Sequence, residues 1–316
     1  MAAVSSPAIT VLFATHNGEQ TLPRMLQALR RLKPPRRPFR ILAVDNASTD
    51  ATARILSEAA MDLPLQVLNC PRPGKASALR HALPHLDGDL LVFTDDDVEP
   101  CPDWLVAYEA AADANPGADL FGGPITPVAY GEPGPWFEAA AAHHAELFAK
   151  CEIADGPLAP VGALYGPNFM MRRAHVEVLA EVPEYVGPRF DSIWRRRYPM
   201  GEDTRVMMAA AARGAAGHGV AAARVKHLIR PFQTELGFML DRAIRHGRGS
   251  ALEMVGEDRL VWARRLKLLL RGLAGSVGKA AAPSEARPDA ATFDRLWQTH
   301  WTRGLMLGAA FGPFSR

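Results

Sequence analysis

The chemistry of this chain concentrates at two acidic stretches. Asp95, Asp96 and Asp97 follow the apolar run Leu90-Leu-Val-Phe93, and Glu202-Asp203 opens a later helical pattern. Three adjacent carboxylates repel one another unless a cation neutralises them. Hard oxygen ligands of this kind suit Mn²⁺ or Mg²⁺, ions often shared with substrate phosphates. From the residue types alone a solvated acidic turn, with Asp97 or Asp103 as a helix cap, stays open beside the metal reading. Glu202 and Asp203 carry the same ambiguity, since acids in a first helical turn also complement the helix dipole.

Further candidates stand at other turns. Thr15, Asn17 and Glu19 follow the apolar run Ile9–Ala14, and Asp45 follows Ile41–Val44. A carboxylate in such a place can accept hydrogen bonds from a base or ribose, or cap a turn. Gly74-Lys75 opens a helical pattern, so free N–H groups and a cation suit a phosphate there. The P-loop spacing is missing, however, and no GxGxxG follows a strand, which counts against a dinucleotide fold. His227, in Val225-Lys-His227, is a further candidate metal ligand and equally a structural histidine.

The elements that position these residues alternate. Apolar runs at 9–14, 41–44, 65–68 and 90–93 read as strands. Helical patterns at 22–29, after Asp50, at 75–86 and at 103–115 separate or follow them, with a further strand near Leu120. Ser48, Thr49 or Asp50 can cap the second helix, and Lys33-Pro-Pro-Arg-Arg-Pro38 breaks the first. Repeated strand–helix units imply a parallel three-layer α/β sheet, with ligands at the carboxyl ends of its strands.

Four ordered motifs then add up. Ile9-Thr-Val-Leu-Phe-Ala-Thr-His-Asn17, Val44-Asp-Asn-Ala-Ser-Thr-Asp50, Gly74-Lys-Ala-Ser-Ala-Leu-Arg80 and Phe93-Thr-Asp-Asp-Asp97 resemble the family-2 glycosyltransferases over roughly residues 8–230. The resemblance implies the GT-A fold, an α/β/α sandwich with a mostly parallel sheet, and an inverting transfer. It implies that Thr15, Glu19 and Asp45 hold the nucleotide, most often uridine diphosphate. Asp95 and Asp97 would bind the metal bridging the diphosphate, with Asp96 beside them. Asp203 would be the general base, and Glu202 would hold the acceptor or the loop. His227 would complete the metal site, as a histidine of that region does in some GT-A enzymes. Where many members have Pro-x-Tyr-Asn, this chain has Ala14-Thr-His16-Asn17, so His16 takes no detailed role.

The expected domains are 1–230, with a nucleotide-sugar half at 8–125 and an acceptor half at 126–230, and a helical extension at 231–316. Residues 126–163 read as an irregular or partly helical insert, either acceptor surface or mobile loop. Arg189–Arg197 forms a basic patch. Leu260 to Leu273 make a basic amphipathic helix that would either lie on an anionic membrane around 259–273 or pack on the protein. Ala280–Pro288 reads as a linker, followed by a helix at 289–302 bearing Trp297 and Trp301.

Composition sets the outer bounds. The 316 residues are 48% hydrophobic and carry a net charge of +2, which suits a globular enzyme and gives no field for nucleic acid. Three widely spaced cysteines argue against a disulfide framework or zinc site and suit a reducing cytoplasm. No signal peptide and no spanning apolar run is read from the sequence. The expected protein is cytoplasmic, with peripheral attachment at a membrane's inner face left open. Its partners are a nucleotide sugar and a glycan, lipid-linked or small-molecule acceptor. The processive synthases' Gln-x-x-Arg-Trp motif is missing from the matching region, so a single-sugar transfer is expected. A sugar nucleotidyltransferase and a catalytically silent nucleotide-sugar-binding scaffold are the competing readings. The first lacks its Gly-rich signature; the second is disfavoured because Asp97 and Asp203 are both retained.

Overall fold

The computed structural model describes residues 8–159, 164–183, 198–255 and 289–311. The described chain divides into two compact units. One comprises Met1–Val128, Ala149–Val182 and Glu202–Leu228, the other Ala129–Phe148, Pro183–Gly201 and Ile229–Arg316.

The first unit is built on a sheet. β1 (Ile9–Thr15), β2 (Phe39–Asp45), β3 (Leu65–Asn69) and β4 (Leu90–Phe93) pair in parallel in the order β3-β2-β1-β4. Beyond β4 the sheet becomes mixed. β9 (Phe169–Arg172) runs antiparallel to both β4 and β6 (Leu120–Gly122). β10 (Gly217–Gly219) follows parallel to β6, and β8 (Gly156–Leu158) closes the edge antiparallel to β10. β1, most of β2 and all of β4 are buried, as strands covered on both faces are, while β3 at the edge exposes Gln66, Val67 and Asn69.

Period-two alternation divides the core. Leu90 and Val92 face one cluster with Leu22, Met25 and Leu26 of α1 (Leu22–Arg30), Leu56 of α2 (Thr52–Ala59), and Trp104 and Leu105 of α4 (Trp104–Ala114). Leu91 and Phe93 face the other, with Ala78 and Leu79 of α3 (Lys75–Ala82), and Val206 and Met207 of α7 (Glu202–Ala212). This is the expected three-layer α/β sandwich. The helix expected over 75–86 ends as α3 at Ala82 and tightens into a 3₁₀ turn at Leu83–His85, where Pro84 removes a donor. Asp103 precedes α4 without capping it through its side chain, whereas Asp50 Oδ1 accepts the Thr52 N–H at the start of α2.

The insert after β6 is more regular than its composition suggests. It holds β7 (Ile125–Ala129), α5 (Phe137–His143), α6 (Ala145–Phe148) and β8. β7 joins a small second sheet, ordered β5-β11-β7, with β5 (Val98–Pro100) and β11 (Val225–Ile229). Neither that sheet nor β5 is legible in the sequence, because a three-residue strand carries too little pattern.

The second unit is helical. α8 (Leu236–Val255) and α9 (Ala290–Phe311) pack closely: the Gly247 Cα faces the Trp301 carbonyl and the Gly304 Cα faces the Ile244 carbonyl, where a Cβ would meet backbone. Their core includes Trp136, Phe137, Phe148, Phe293 and Trp297, so Trp297 takes the packing role. Among the described residues no helix is long and apolar enough to cross a membrane. The basic patch 189–197, the amphipathic helix at 259–273 and the 280–288 linker lie outside or almost wholly outside the described residues. The three cysteines, Cys70, Cys101 and Cys151, are free thiols.

Candidate active site

The two acidic stretches converge. Asp95 follows directly on β4 through Thr94, and Glu202 and Asp203 form the first turn of α7. Between them lies Lys75, the first residue of α3. Its Nζ stands 2.9 Å from Asp95 Oδ1, 3.7 Å from Asp203 Oδ1 and 3.9 Å from Glu202 Oε1. The lysine expected to meet a phosphate is thus held among three carboxylates.

The cluster perturbs its own protonation. Burial alone would lower the Lys75 ammonium, but Asp203, Asp95 and Glu202 reverse that and hold it well above the usual lysine range. Burial and the Asp203 charge push Glu202 up to about 7, against the opposing pull of Lys75. Burial also raises Asp95; Lys75 opposes this, while Asp97 and Asp203 add to it. One ammonium does not balance one buried and two half-buried acids, and such shifts mark functional sites.

Asp203 is held by main chain as well. Its Oδ2 accepts the Gly166 N–H at 2.9 Å. Gly166 begins the segment Gly166-Pro167-Asn168. Thr94 Oγ1 donates to the Pro167 carbonyl at 2.9 Å, tying that segment to the end of β4. Asn168 is buried and fully engaged. Its Oδ1 accepts from Trp104 Nε1 and Tyr108 Oη, and its Nδ2 donates to the Pro124 and Ala223 carbonyls. In the sequence Tyr165–Arg173 reads as a Gly/Pro-bearing turn beside an apolar run, similar to the strand by which the resembled family leads from its sheet to the acceptor wall. The signal missed was the polar Asn between a proline and an apolar run, a residue that cannot be buried without partners.

The other aspartates diverge. Asp96 Oδ2 accepts a 2.5 Å hydrogen bond from Thr15 Oγ1, joining the ends of β1 and β4. Asp97 is buried, and His227 Nε2 lies 3.4 Å from its Oδ1. Pairing of β5 with β11, which sets His227 opposite Val98, brings the two together. Among the described residues, no group of three or more His, Cys, Asp or Glu side chains is arranged to hold a metal ion. Asp97 with His227 offers two neighbouring donor side chains. That suits a hard cation that takes one or two protein ligands and completes its shell from phosphate and water.

The turns after β1 and β2 meet each other. Asp45 is buried, and its Oδ1 accepts the Ser48 N–H. Asn17, at φ 53°, accepts the Thr49 N–H through Oδ1, while its own N–H donates to Ser48 Oγ. Glu19 Oε2 accepts the Ala51 N–H. Asn17 and Glu19 therefore tie the two turns together. Asn46, overlooked in the sequence, joins them to the next loop. Its Oδ1 accepts the Gly74 N–H, and its Nδ2 donates to the Arg72 carbonyl. His16 Nδ1 lies 2.7 Å from the Asn46 carbonyl oxygen, which gives His16 a local structural bond.

Known proteins carry the same arrangement of chain. A mannosyltransferase, PcManGT from Pyrobaculum calidifontis, solved with GDP-Man and Mn²⁺, superposes with TM-score 0.59 at 20% identity, over 98% of this chain and 88% of that one. S. aureus TarS in complex with UDP-GlcNAc superposes with TM-score 0.51 at 16% identity, over 98% and 93%. At such identities these likenesses establish the fold, which is GT-A. A beta-monoglucosyldiacylglycerol synthase from Nostoc sp. is 30% identical over 106 residues, covering 32% of this chain and 23% of that relative. This chain therefore matches less than a quarter of that protein's length. The family model described as glycosyl transferase family 2 matches residues 10–179, more than half of the 316 residues. The chain belongs to glycosyl transferase family 2.

Proposed function

We propose that this protein is an inverting, metal-dependent glycosyltransferase that moves one sugar from a nucleoside-diphosphate sugar, with uridine diphosphate as leaving group, to an acceptor hydroxyl. The observation that carries the reading is the position of Asp203. It shares Lys75 with Asp95, so a carboxylate suited to proton removal sits beside the acids at the end of β4.

In this reading Asp45, Thr15 and the turns tied by Asn17 and Glu19 form the wall that receives the nucleoside. Asp95, Asp97 and His227 would hold Mn²⁺ or Mg²⁺. When bound, that ion would neutralise charge on the departing diphosphate. Asp203 accepts the proton of the attacking hydroxyl. The acceptor oxygen bonds to the anomeric carbon while the carbon–oxygen bond to the diphosphate breaks, and attack from the opposite face inverts the centre. Glu202, its carboxyl pushed up to about 7, holds the acceptor or the loop. The acceptor is a glycan, a lipid-linked sugar or a small molecule. Attachment at a membrane's inner face through 259–273 belongs to this proposal too. So does the division into a catalytic region at 1–230 and an extension at 231–316.

A thermal-shift screen of nucleotides and nucleotide sugars, with and without Mn²⁺, tests it, because a ligand of the native state raises the melting temperature. A Mn²⁺-dependent rise with a uridine nucleotide is the expected result. The same rise with a guanosine nucleotide would replace the base and keep the rest. No rise with any of them would leave the fold standing and favour an acceptor-gated enzyme or a scaffold that does not bind the donor.

A further inference from the structure

We infer that Gly166 is a positioning residue for the transfer, fixing Asp203 so that Oδ1 is the oxygen presented to the acceptor hydroxyl. This rests on the reading of Asp203 as general base and adds how that base is aimed.

The two carboxylate oxygens of Asp203 have different surroundings. Oδ2 accepts the Gly166 N–H at 2.9 Å, whereas Oδ1 faces the Lys75 ammonium at 3.7 Å, beyond hydrogen-bond distance. A main-chain donor sets the direction of a carboxylate more firmly than a mobile side chain, because the N–H cannot rotate away. The ammonium lies beside Oδ1 without occupying it by a hydrogen bond.

Space is the second part of the device. A Cβ on Gly166 would overlap Asp203, lying 2.6 Å from Cγ and 2.7 Å from Oδ1 and closer still to Oδ2. Contacts this short are not found between real atoms, so any side chain at 166 would push the carboxylate aside. Gly166 is not in a left-handed conformation. Its backbone is open to other residues, and the contact with Asp203 is what demands glycine. The peptide is anchored from the other side by Thr94 on the Pro167 carbonyl and by the four hydrogen bonds of Asn168. Gly166 therefore reports the position of β4, β9 and α4 directly to the base.

The test is Gly166→Ala, which keeps the N–H and removes no chemical group. The expected result is a fall in kcat of about 100-fold, the scale of a 1 Å misplacement of a reacting group. The donor KM and the Mn²⁺-dependent thermal shift with nucleotide should stay at wild-type values. A kcat close to wild type overturns the proposal, as does a parallel loss of donor binding, which would mark a general structural defect.

A second measurement needs no substitution at Gly166. Only Gly131 and Gly166 follow a tyrosine, so ¹³C-carbonyl tyrosine with ¹⁵N-glycine labelling isolates two amide signals. Gly131→Ala tells them apart. The Gly166 amide proton should move when Asp203→Ala removes its acceptor, and an unmoved signal overturns the proposal. Failure of the underlying reading looks different: Asp203→Asn would then retain turnover. An inactive Asp203→Asn together with a fully active Gly166→Ala would defeat the positioning role alone.

Discussion

His227 Nε2 stands 3.4 Å from Asp97 Oδ1, although one residue belongs to the acidic run after β4 and the other to the last strand of the sheet unit. Their meeting depends on a three-residue strand. Val98 lies opposite His227 in the β5–β11 ladder, and the Leu228 N–H donates to the Asp97 carbonyl. The candidate metal pair is therefore a product of strand register, and a one-residue slip would turn His227 to the other face.

Replacing either member should be felt in cation binding. Asp97→Asn is expected to remove most of the Mn²⁺-dependent gain in nucleotide affinity. His227→Ala should weaken Mn²⁺ by at least about 10- to 100-fold, since losing even an outer partner of a metal ligand acts on that scale. Titration calorimetry of nucleotide with and without Mn²⁺ measures both. Unchanged Mn²⁺ dependence in Asp97→Asn would remove that residue from the cation site.

Asp203→Asn should bind donor as wild type does and lose turnover by about 10²- to 10⁴-fold, the usual contribution of a general base. Single-turnover kinetics with saturating nucleotide sugar separate the two effects. Substantial remaining turnover would end the base assignment.

Glu202 predicts a pH dependence of stability. Its folded-state pKa, up to about 7 from 4.5, means that the folded chain keeps this proton longer than the unfolded chain does. Stability is therefore full below about pH 4.5 and declines as pH rises through 7. This group contributes a loss on the order of 3 kcal/mol across that range. Raised Asp95 acts in the same direction. Urea unfolding of metal-free protein between pH 5 and 8 should show the decline, and Glu202→Gln should flatten it. Equal slopes for both proteins would remove Glu202 as its source.

Lys75→Met keeps the length of the side chain and removes the ammonium facing Asp95, Glu202 and Asp203. Leaving buried carboxylates uncompensated costs about 3–5 kcal/mol, so the melting temperature should drop at pH 8. The drop should be smaller at pH 5, where Glu202 is protonated in either protein. A pH-independent drop would point to lost packing of the lysine stem instead.

What the sequence determined by itself was local and periodic. The continuous apolar run Leu90–Phe93 reads as a strand buried on both faces, and the 3.6-residue pattern of Leu22, Met25, Leu26 and Leu29 reads as a helix with one core face, and both elements form. The order of four motifs carried the family, since each lies at a strand end where a parallel sheet gathers its ligands. Tertiary structure decided everything that depends on distance. Lys75 looked like a phosphate ligand because a helix start with a cation suits an anion, yet packing of α3 beside α7 set it among carboxylates. Asn46 and Asn168 gave no pattern, because a single buried amide becomes informative only when the groups it satisfies are known. Gly166 read as a turn glycine, and only the Asp203 carboxylate lying against its Cα shows why a side chain has no room there.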